Sequence, residues 1–404
     1  MPFLKQYYTS PGQDGARDQN HLQWHESAIY WDLFYQYGSY SKDTAYNDWM
    51  DGELLLATVG GDFLDGNSTL LGLSGRWNDD IGWWALATMT AAEHYGKDAI
   101  IAPNQPGNSN PTYFGATHMT YLEMLDQWDS STCGGGMFWS RNRNSNIENQ
   151  LFYKSTISNA EHLDLGARLY TLTKDPAYLD WFDRVYNWLK TSNLISPTYA
   201  VYDGLDTRSC QINEAQYSYH SAELISGLAI LHKATGNPTY LTEAHAHFSH
   251  VQSFFVNNAT GVLYDPQGGD KTPTGFLWSL YRALATLYTI TTNTDVKTRI
   301  ATVLRMSAAA NFQTCTYEWN CITKLSPVPA KYTLPDGTNV RAQMESVAIL
   351  NALAVVNGAP LEKDVQQTVS GAVGGGVAAV EPKSGGTVVA ANVFSLVLVG
   401  AFLL

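Results

Sequence analysis

Apolar residues recur along most of the chain at the three- and four-residue spacing that predicts amphipathic helices. Strand patterns are scarce, and clusters of Gly, Asn, Pro and Asp separate the helical segments. One set of predicted helices begins near Trp24, Asp79, Ser155, Gln216, Phe276 and Arg341. A second set covers residues 43–58, 114–128, 176–193, 238–256 and 295–312. The two sets alternate along the chain, so the pattern predicts a series of helical hairpins.

A turn signature repeats between helices of the two sets. It reads SKDTAY at 41–46, TKDPAY at 173–178 and TGNPTY at 235–240. In each copy an Asp or Asn (Asp43, Asp175, Asn237) is the predicted N-cap of the next helix. In two of the three copies Pro follows at the first helical position, where its missing N–H costs nothing.

Successive helices of the first set begin 55 to 76 residues apart. Helical hairpins at a near-constant period are typical of closed toroids and solenoids. Six helices of one kind and five of the other predict an all-α fold: a solenoid, or an (α/α)6 barrel built as a six-hairpin toroid with its first outer helix missing. That helix would precede Trp24, so we expect the chain to be truncated at its N-terminus.

The two ends of the chain carry further expectations. The hairpin pattern predicts one domain over residues 1–358, followed by a flexible linker over 359–386 and an apolar tail over 387–404. Small residues around Gly374, a polar spacer and a terminal apolar tail form the layout of a GPI-attachment signal. The alternative is a transmembrane anchor, for which the tail is short and lacks a basic flank. GPI attachment requires a signal peptide, which residues 1–20 lack, in agreement with a truncated N-terminus.

The net charge of −13 changes the list of possible partners. It argues against nucleic acid, whose binding requires Lys and Arg to replace phosphate counterions. It also argues against anionic membranes and polyanionic substrates, whereas a neutral polymer is compatible. The 12 Trp, 24 Tyr and 14 Phe supply both core residues and flat surfaces on which sugar rings stack.

Four cysteines and two sequons are consistent with an oxidising compartment. Cys315 and Cys321 are close enough in sequence to staple one loop, and Cys133 and Cys210 would then tie two distant loops. The alternative is four free buried thiols. Asn67 and Asn258 begin glycosylation sequons.

The segment with the richest chemistry places Asp79 and Asp80 among Trp77, Trp83 and Trp84. A carboxylate pair is the usual machinery for cleaving a glycosidic bond, and neighbouring acids at a helix start favour the short separation of retaining enzymes. One Asp would be the nucleophile and the other the acid/base.

The alternative is helix capping, because acidic residues in a first turn are stabilised by the helix dipole. Asn78 is then the expected N-cap. Gly82 is expected to leave an open space between the indoles, and Arg76 could hold a carboxylate ionised.

Further residues are candidates for lining the same cleft. They are Trp139 after the glycine run CGGG (133–136), Tyr217, Tyr219 and His220 at one first-set helix start, and Trp24 at another. Core packing, or a tight turn fixed by a disulfide in the case of the glycine run, explains them about equally well. His245, His247 and His250 have no zinc spacing, and we expect them on a solvated helix face. No metal or cofactor is expected.

Six segments carry a family resemblance: RWNDDIGWWALA (76–87), CGGGMFW (133–139), YKSTISNAEHLDLGARLY (153–170), VYDG (201–204), QYSYH (216–220) and QMESVAILN (343–351). Together they span most of residues 20–357, and they resemble glycoside hydrolase family 76, the endo-α-1,6-mannanases. Within that family the chain looks like the fungal GPI-anchored members. It departs from the family pattern at Ala160–Glu161, where a cysteine is common, and at His220, where Asn is frequent.

The resemblance implies an (α/α)6 barrel with Asp79 as nucleophile and Asp80 as acid/base. The implied substrate is α-1,6-mannan or the mannose core of a GPI glycan, with wall glucan as a possible acceptor, and we expect a monomer at the cell surface. The competing hypothesis is a catalytically inactive wall protein that grips mannan through its tryptophans. Another (α/α)6 enzyme, such as a lyase, would act on polyanions and is disfavoured by the negative charge.

Overall fold

The computed structural model describes residues 22–58, 63, 77–103, 110–144, 151–266, 276–315, 321 and 340–358. By its internal contacts the chain divides into two units, residues 1–359 and 360–404. The predicted linker, attachment residue Gly374 and apolar tail lie outside the described residues, as do the sequon at Asn67 and the predicted position of a first outer helix. Within the described ranges, every helix is too short or too polar to span a bilayer.

The described ranges contain helices in two alternating sets. The first set is α1 (Trp24–Ser41), α3 (Asn78–Tyr95), α5 (Thr156–Thr173), α7 (Ser218–Thr235), α9 (Leu277–Ile290) and α11 (Val340–Val356). The second set is α2 (Asn47–Ala57), α4 (Tyr113–Leu125), α6 (Pro176–Thr191), α8 (Pro238–Phe254) and α10 (Thr294–Phe312). Each first-set helix begins within two residues of its predicted start.

The first set forms a closed inner ring. Each of its helices contacts the next, and α11 returns to contact α1. Each second-set helix packs against the inner helix that precedes it, so it lies in the outer layer. The all-α barrel architecture predicted from the hairpin pattern is thereby confirmed.

Burial distinguishes the two layers. Inner helix α5 buries every residue from 156 to 169, polar ones included. Outer helix α6 buries one stripe, formed by Tyr178, Phe182, Val185, Tyr186, Trp188 and Leu189. A helix enclosed on all sides has no solvent face, so the polar side chains of the inner ring must find partners inside the protein.

The helix caps agree with prediction in two of the three hairpin turns. Asp175 accepts the N–H of Ala177 and caps α6, and Asn237 accepts the N–H of Thr239 and caps α8, each at 3.0 Å. The prediction for Asp43 was wrong. Asp43 accepts the N–H of Ala45 within a turn, and α2 begins only at residue 47 because no Pro follows Asp43 to start the helix there.

A small antiparallel sheet, not predicted from the sequence, lies in the connections of the barrel. Its strands are β1 (Tyr153–Ser155), β2 (Gly204–Asp206) and β3 (Ile212–Asn213), in that order. They are too short to show an alternating pattern in the sequence. The structure pairs Cys133 with Cys210 and Cys315 with Cys321, so the free-thiol alternative was wrong.

The three histidines of α8 do not share a solvated face. His247 is fully buried and lies 3.2 Å from the Tyr186 hydroxyl. His250 pairs with Gln216 at 2.7 Å, and His245 pairs with Thr291 at 2.9 Å. The solvated-face expectation was wrong because the hairpins and loops beside α8 supply a separate partner for each imidazole.

A buried ion pair joins the first and last helices of the ring. Arg341 of α11 donates from Nε and Nη2 to the two carboxylate oxygens of Glu26 in α1, both at 2.5 Å. The two side chains are 2% and 8% exposed. Asn351, further along α11, donates to the Leu33 carbonyl at 3.1 Å. Side chains of α11 thus hold α1 at both a charged and a neutral contact.

We expect Arg341→Met to lower the free energy of unfolding by about 3–5 kcal/mol, because it leaves the Glu26 carboxylate buried without its partner. Equilibrium denaturation in urea measures the loss. The control is Asp98→Asn, which breaks the exposed Lys97–Asp98 pair and should leave stability unchanged. Equal stability of the two variants would contradict a structural role for ring closure.

Candidate active site

The predicted carboxylate pair lies in the first turn of inner helix α3. The N-cap is Trp77, not Asn78 as predicted, and Asn78 is the first helical residue. The Asn78 side chain is buried, where it donates to the Met124 carbonyl at 3.1 Å and accepts from Arg141 at 2.8 Å. An amide occupied in this way anchors the start of α3 to the end of α4 and is not available as a cap.

Asp80 is 7% exposed and contacts both the helix terminus and another helix. One carboxylate oxygen accepts the backbone N–H of Trp77 at 3.4 Å, a capping contact. The other lies 3.3 Å from Nδ1 of His25 in α1. Burial lowers the pKa of His25, with Glu26 opposing and Arg341 reinforcing the change. The capping interpretation therefore holds for one carboxylate oxygen of Asp80, whereas the other oxygen contacts His25.

Asp79 is partly buried, and its carboxyl group has an unusual proton affinity. Burial raises the pKa of Asp79 to about 7. A hydrogen bond from the Trp139 side chain opposes the rise, whereas the nearby carboxylate of Asp203 adds to it. Adjacent acids in one turn therefore sit in different environments, with a His beside one and an indole beside the other.

Asp203 is a third carboxylate at the site that sequence reasoning did not single out. It accepts from the Tyr153 hydroxyl at 2.5 Å and from Asn213 Nδ2 at 3.0 Å, and it lies 3.7 Å from His220 Nε2. Burial raises the pKa of Asp203, whereas the two hydrogen bonds lower it. The only signal in the sequence was its position in the VYDG segment.

Backbone hydrogen bonds hold these elements in register. The Asn78 N–H donates to the Trp139 carbonyl at 2.8 Å, and the Trp139 N–H donates to the Tyr153 carbonyl at 3.0 Å. The rings of Trp77 and Trp139 stack with centroids 5.3 Å apart. The start of α3 is therefore tied through residue 139 to strand β1, beside which Asp203 lies.

The glycine run before Trp139 is packed over a buried lysine. Lys154 Nζ donates to the carbonyls of Asp129, Thr132 and Gly135 at 2.6 to 2.8 Å and pairs with the Asp129 carboxylate at 3.0 Å. Gly136 has φ +97°, and a Cβ there would lie 2.3 Å from the Trp188 ring. The disulfide between Cys133 and Cys210 fixes the same loop to the turn between β2 and β3. The loop is thus a disulfide-fixed turn that carries an aromatic residue to the site.

The predicted substrate-binding aromatics divide by exposure. Trp24, Trp77, Trp139 and Tyr217 are partly exposed, and Trp83 and Tyr219 retain 7% and 8% exposure. Trp84 and His220 are fully buried, so their assignment as substrate-binding residues was wrong. Trp84 packs between Trp24 and Phe63 with ring centroids 5.3 Å away in each case, and His220 Nε2 lies 3.7 Å from the Asp203 carboxylate. Both lie on inner helices that are buried on every side.

The space expected beside Gly82 is not open. A Cβ at Gly82 would lie 2.0 Å from Oε2 of Glu161, a residue of α5 that is itself fully buried. The prediction of an open space was therefore wrong, and a fourth carboxyl group stands behind the pair. Arg76, predicted to hold a carboxylate ionised, lies outside the described residues.

Comparison with known proteins adds to this geometry. A family model described as glycosyl hydrolase family 76 matches residues 1–364. Mannan endo-1,6-alpha-mannosidase DCW1 of Candida glabrata is 30% identical over 276 residues, which cover 65% of this chain and 56% of the relative. Mannan endo-1,6-alpha-mannosidase DFG5 of Saccharomyces cerevisiae is 26% identical over 260 residues, or 63% and 53% of the two chains. The chain thus spans little more than half the length of these relatives.

Solved structures of similar fold agree. Dfg5 from Chaetomium thermophilum, in complex with glucosamine, has a TM-score of 0.72 at 24% identity, covering 88% of this chain and 85% of the other. An inactive variant of the α-1,6-mannanase GH76A of Salegentibacter sp. HEL1_6, in complex with α-1,6-mannotriose, has a TM-score of 0.66 at 20% identity, with coverages of 87% and 95%. At these identities the likeness establishes the fold.

Trp139→Phe should raise the pKa of Asp79 further, because it removes the indole N–H that favours the ionised carboxylate. A ¹³C NMR titration of the carboxyl carbons, with the Asp79 signal assigned from Asp79→Asn, measures the shift. Trp128→Phe is the matched control, since that indole N–H donates to Ser130. A pKa of Asp79 that stays or falls in Trp139→Phe would contradict the assigned contact.

Proposed function

The chain belongs to glycosyl hydrolase family 76, and from that premise we propose that it is a retaining enzyme that cleaves α-1,6-linked mannose chains. The observation that carries the proposal is the pair of adjacent acids, Asp79 and Asp80, in one turn but in different surroundings. Pairs of titratable groups whose environments differ are how glycosidases divide acid and nucleophile roles.

In the proposed mechanism Asp80 is the general acid, and the reactive form of the enzyme has Asp80 protonated and Asp79 ionised. Its proton passes to the glycosidic oxygen as the bond to the anomeric carbon breaks. The Asp79 carboxylate attacks that carbon from the opposite face, and a covalent glycosyl-enzyme forms. Asp80, now ionised, takes a proton from an incoming hydroxyl, which displaces Asp79 and restores the original configuration. His25, 3.3 Å from Asp80, orients that carboxyl group.

The identity of the incoming hydroxyl distinguishes hydrolysis from transfer. Water gives a hydrolase, and a sugar hydroxyl gives a transglycosylase. We propose α-1,6-mannan or the mannose core of a GPI glycan as the donor, with wall glucan as the candidate acceptor. Trp24, Trp77, Trp139 and Tyr217, which keep part of their surface exposed near the pair, are the proposed sugar-stacking residues.

Three observations support this substrate class. The curated relatives are called mannan endo-1,6-alpha-mannosidases. The Salegentibacter mannanase bound to mannotriose was made inactive by replacing two consecutive aspartates with asparagine, and this chain carries two consecutive aspartates at its site. The net charge of −13 suits a neutral polymer. We further propose a monomer that acts at the cell surface, with Asn258, exposed in the turn after α8, as a glycosylation site.

The second candidate function is an inactive mannan-binding protein. The partly exposed tryptophans would serve that role equally well. The raised pKa of Asp79 favours the enzyme, because simple sugar binding has no need of a carboxyl group with altered proton affinity. One assay separates the two candidates.

Purified protein incubated with α-1,6-mannooligosaccharides should release shorter products in the α configuration, followed by mass spectrometry and ¹H NMR of the anomeric protons. Asp79→Asn and Asp80→Asn should each reduce kcat by about 10³-fold or more, because each removes one of the two chemical roles. Asp180→Asn, on the exposed face of α6, is the matched control and should retain activity. β-configured products would overturn retention, and binding without cleavage would favour the second candidate.

The raised pKa of Asp79 predicts the acidic side of the pH profile. The nucleophile must be ionised, so kcat/KM should fall as the pH drops through about 7, where Asp79 gains its proton. Initial rates between pH 4 and 8 test this expectation. An acidic limb near pH 4, the range of an unperturbed aspartate, would show that Asp79 does not set it.

A further inference from the structure

Glu161 lies directly behind the first turn of α3. A Cβ on Gly82 would meet Glu161 Oε2 at 2.0 Å and Cδ at 2.9 Å, and the Met124 methyl group at 3.0 Å. The absence of a side chain at position 82 is therefore what admits the Glu161 carboxyl group to this place. Gly82 follows Asp79 by three residues, so the contact lies on the same helical turn as the pair.

The Glu161 carboxyl group has unusual surroundings for an acid. It is fully buried, and among the described residues neither oxygen has a hydrogen-bond partner. Titratable or charged groups face it from three other inner helices: Asp79 and Asp80 of α3, Tyr219 and Glu223 of α7, and Arg282 of α9. Three of these five are carboxyl groups, so a negative charge on Glu161 would be repelled as well as desolvated.

Arg282, the cation among these groups, is engaged elsewhere. Its guanidinium pairs with Glu223 at 2.6 Å, with Asp32 at 3.6 Å and with Asp164 at 3.7 Å. Burial and then the neighbouring carboxyl groups raise the pKa of Glu161 well above its usual range, and the positive charge of Arg282 opposes the rise. Burial, the lack of a hydrogen-bond partner among the described residues and the surrounding carboxyl groups all favour the protonated form of Glu161.

We propose that Glu161 is a positioning residue for the Asp79–Asp80 pair: as an uncharged acid filling the space beside Gly82, it fixes the first turn of α3 without adding charge there. The proposal rests on the proposed function. An ionised group at this point would repel both acids. An empty space would let the turn shift or admit water beneath the nucleophile.

Stability against pH tests the protonation state without any assay of activity. A buried acid whose folded pKa is raised contributes its full stability below the pKa of the unfolded chain and loses it as the pH rises. The side chain of Glu161→Gln cannot ionise, so the stability of this variant does not decrease in this way as the pH rises. The melting temperature of Glu161→Gln relative to wild type should therefore increase by about 2 °C or more between pH 4 and pH 8. A difference that stays flat or decreases would mean that Glu161 is ionised in the folded protein, and would overturn the proposal.

Kinetics on α-1,6-mannooligosaccharides test the positioning role. Glu161→Gln keeps the shape and neutrality of the acid, so its kcat should stay within about threefold and its acidic limb should not move. Glu161→Ala should lower kcat about tenfold or more with little change in KM. An acidic limb of Glu161→Gln displaced to lower pH, or wild-type kcat in Glu161→Ala, would overturn the proposal.

A pair of compensating substitutions distinguishes the proposed role of Glu161 from simple misfolding. Gly82→Ala should lower kcat because the new methyl group collides with Glu161, and the double variant Gly82→Ala with Glu161→Ala should recover activity relative to Gly82→Ala alone. Glu345→Gln, a buried acid of α11 that contacts Tyr281, is the control and should leave the pH profile unchanged. Inactive wild-type protein would refute the proposed function, whereas active wild type with no recovery in the double variant would refute the role of Glu161.

Discussion

The closed inner ring depends on the buried pairing of Glu26 in its first helix with Arg341 in its last, which the contact between Asn351 and the Leu33 carbonyl supplements. The other inner helices meet neighbours that are close in sequence, but this contact spans 315 residues. It also reaches the site, because the residue beside Glu26 is His25, whose imidazole contacts Asp80. The first turn of α1 therefore takes part in closing the ring and also places an imidazole beside one of the two acids.

The interior of the ring contains buried ion pairs as well as apolar packing. Arg282 joins α9 to α7, α5 and α1 through Glu223, Asp164 and Asp32. Burying such pairs costs the free energy of removing their hydration. Removing one partner alone strongly destabilises the fold, because the other charge is left buried and unpaired. These pairs give little net stability, but they restrict how the inner helices can rotate. The turn of α3 that carries Asp79 and Asp80 lies against Glu161 in this interior.

Most of the fold could be predicted from the sequence, and less of the site. The inner-helix starts were found because Gly, Asn and Pro turns punctuate the chain at a regular interval. Trp84 and His220 were misassigned because an inner helix has no polar face from which exposure can be judged. Glu161 was missed because its role comes from facing a glycine on another helix, and Asp203 because its partners Tyr153 and Asn213 lie on separate strands of a sheet too short to detect. Contacts of this kind join residues that are far apart in the sequence, so they produce no periodic pattern along the chain.

The loop that contains residues 133–139 is held by Lys154 and by a disulfide, and this has a consequence for folding during synthesis. Synthesis proceeds from the N-terminus, so Asp79 and Asp80 leave the ribosome before the residues that cover them. The loop gains its buried lysine only when residue 154 has emerged and its disulfide only when Cys210 follows, 77 residues after Cys133. Until then the nascent chain carries both acids, but the loop that brings the Trp139 side chain to Asp79 is not yet held in place. The surroundings of Asp79 are thus completed only as later segments of the chain are made.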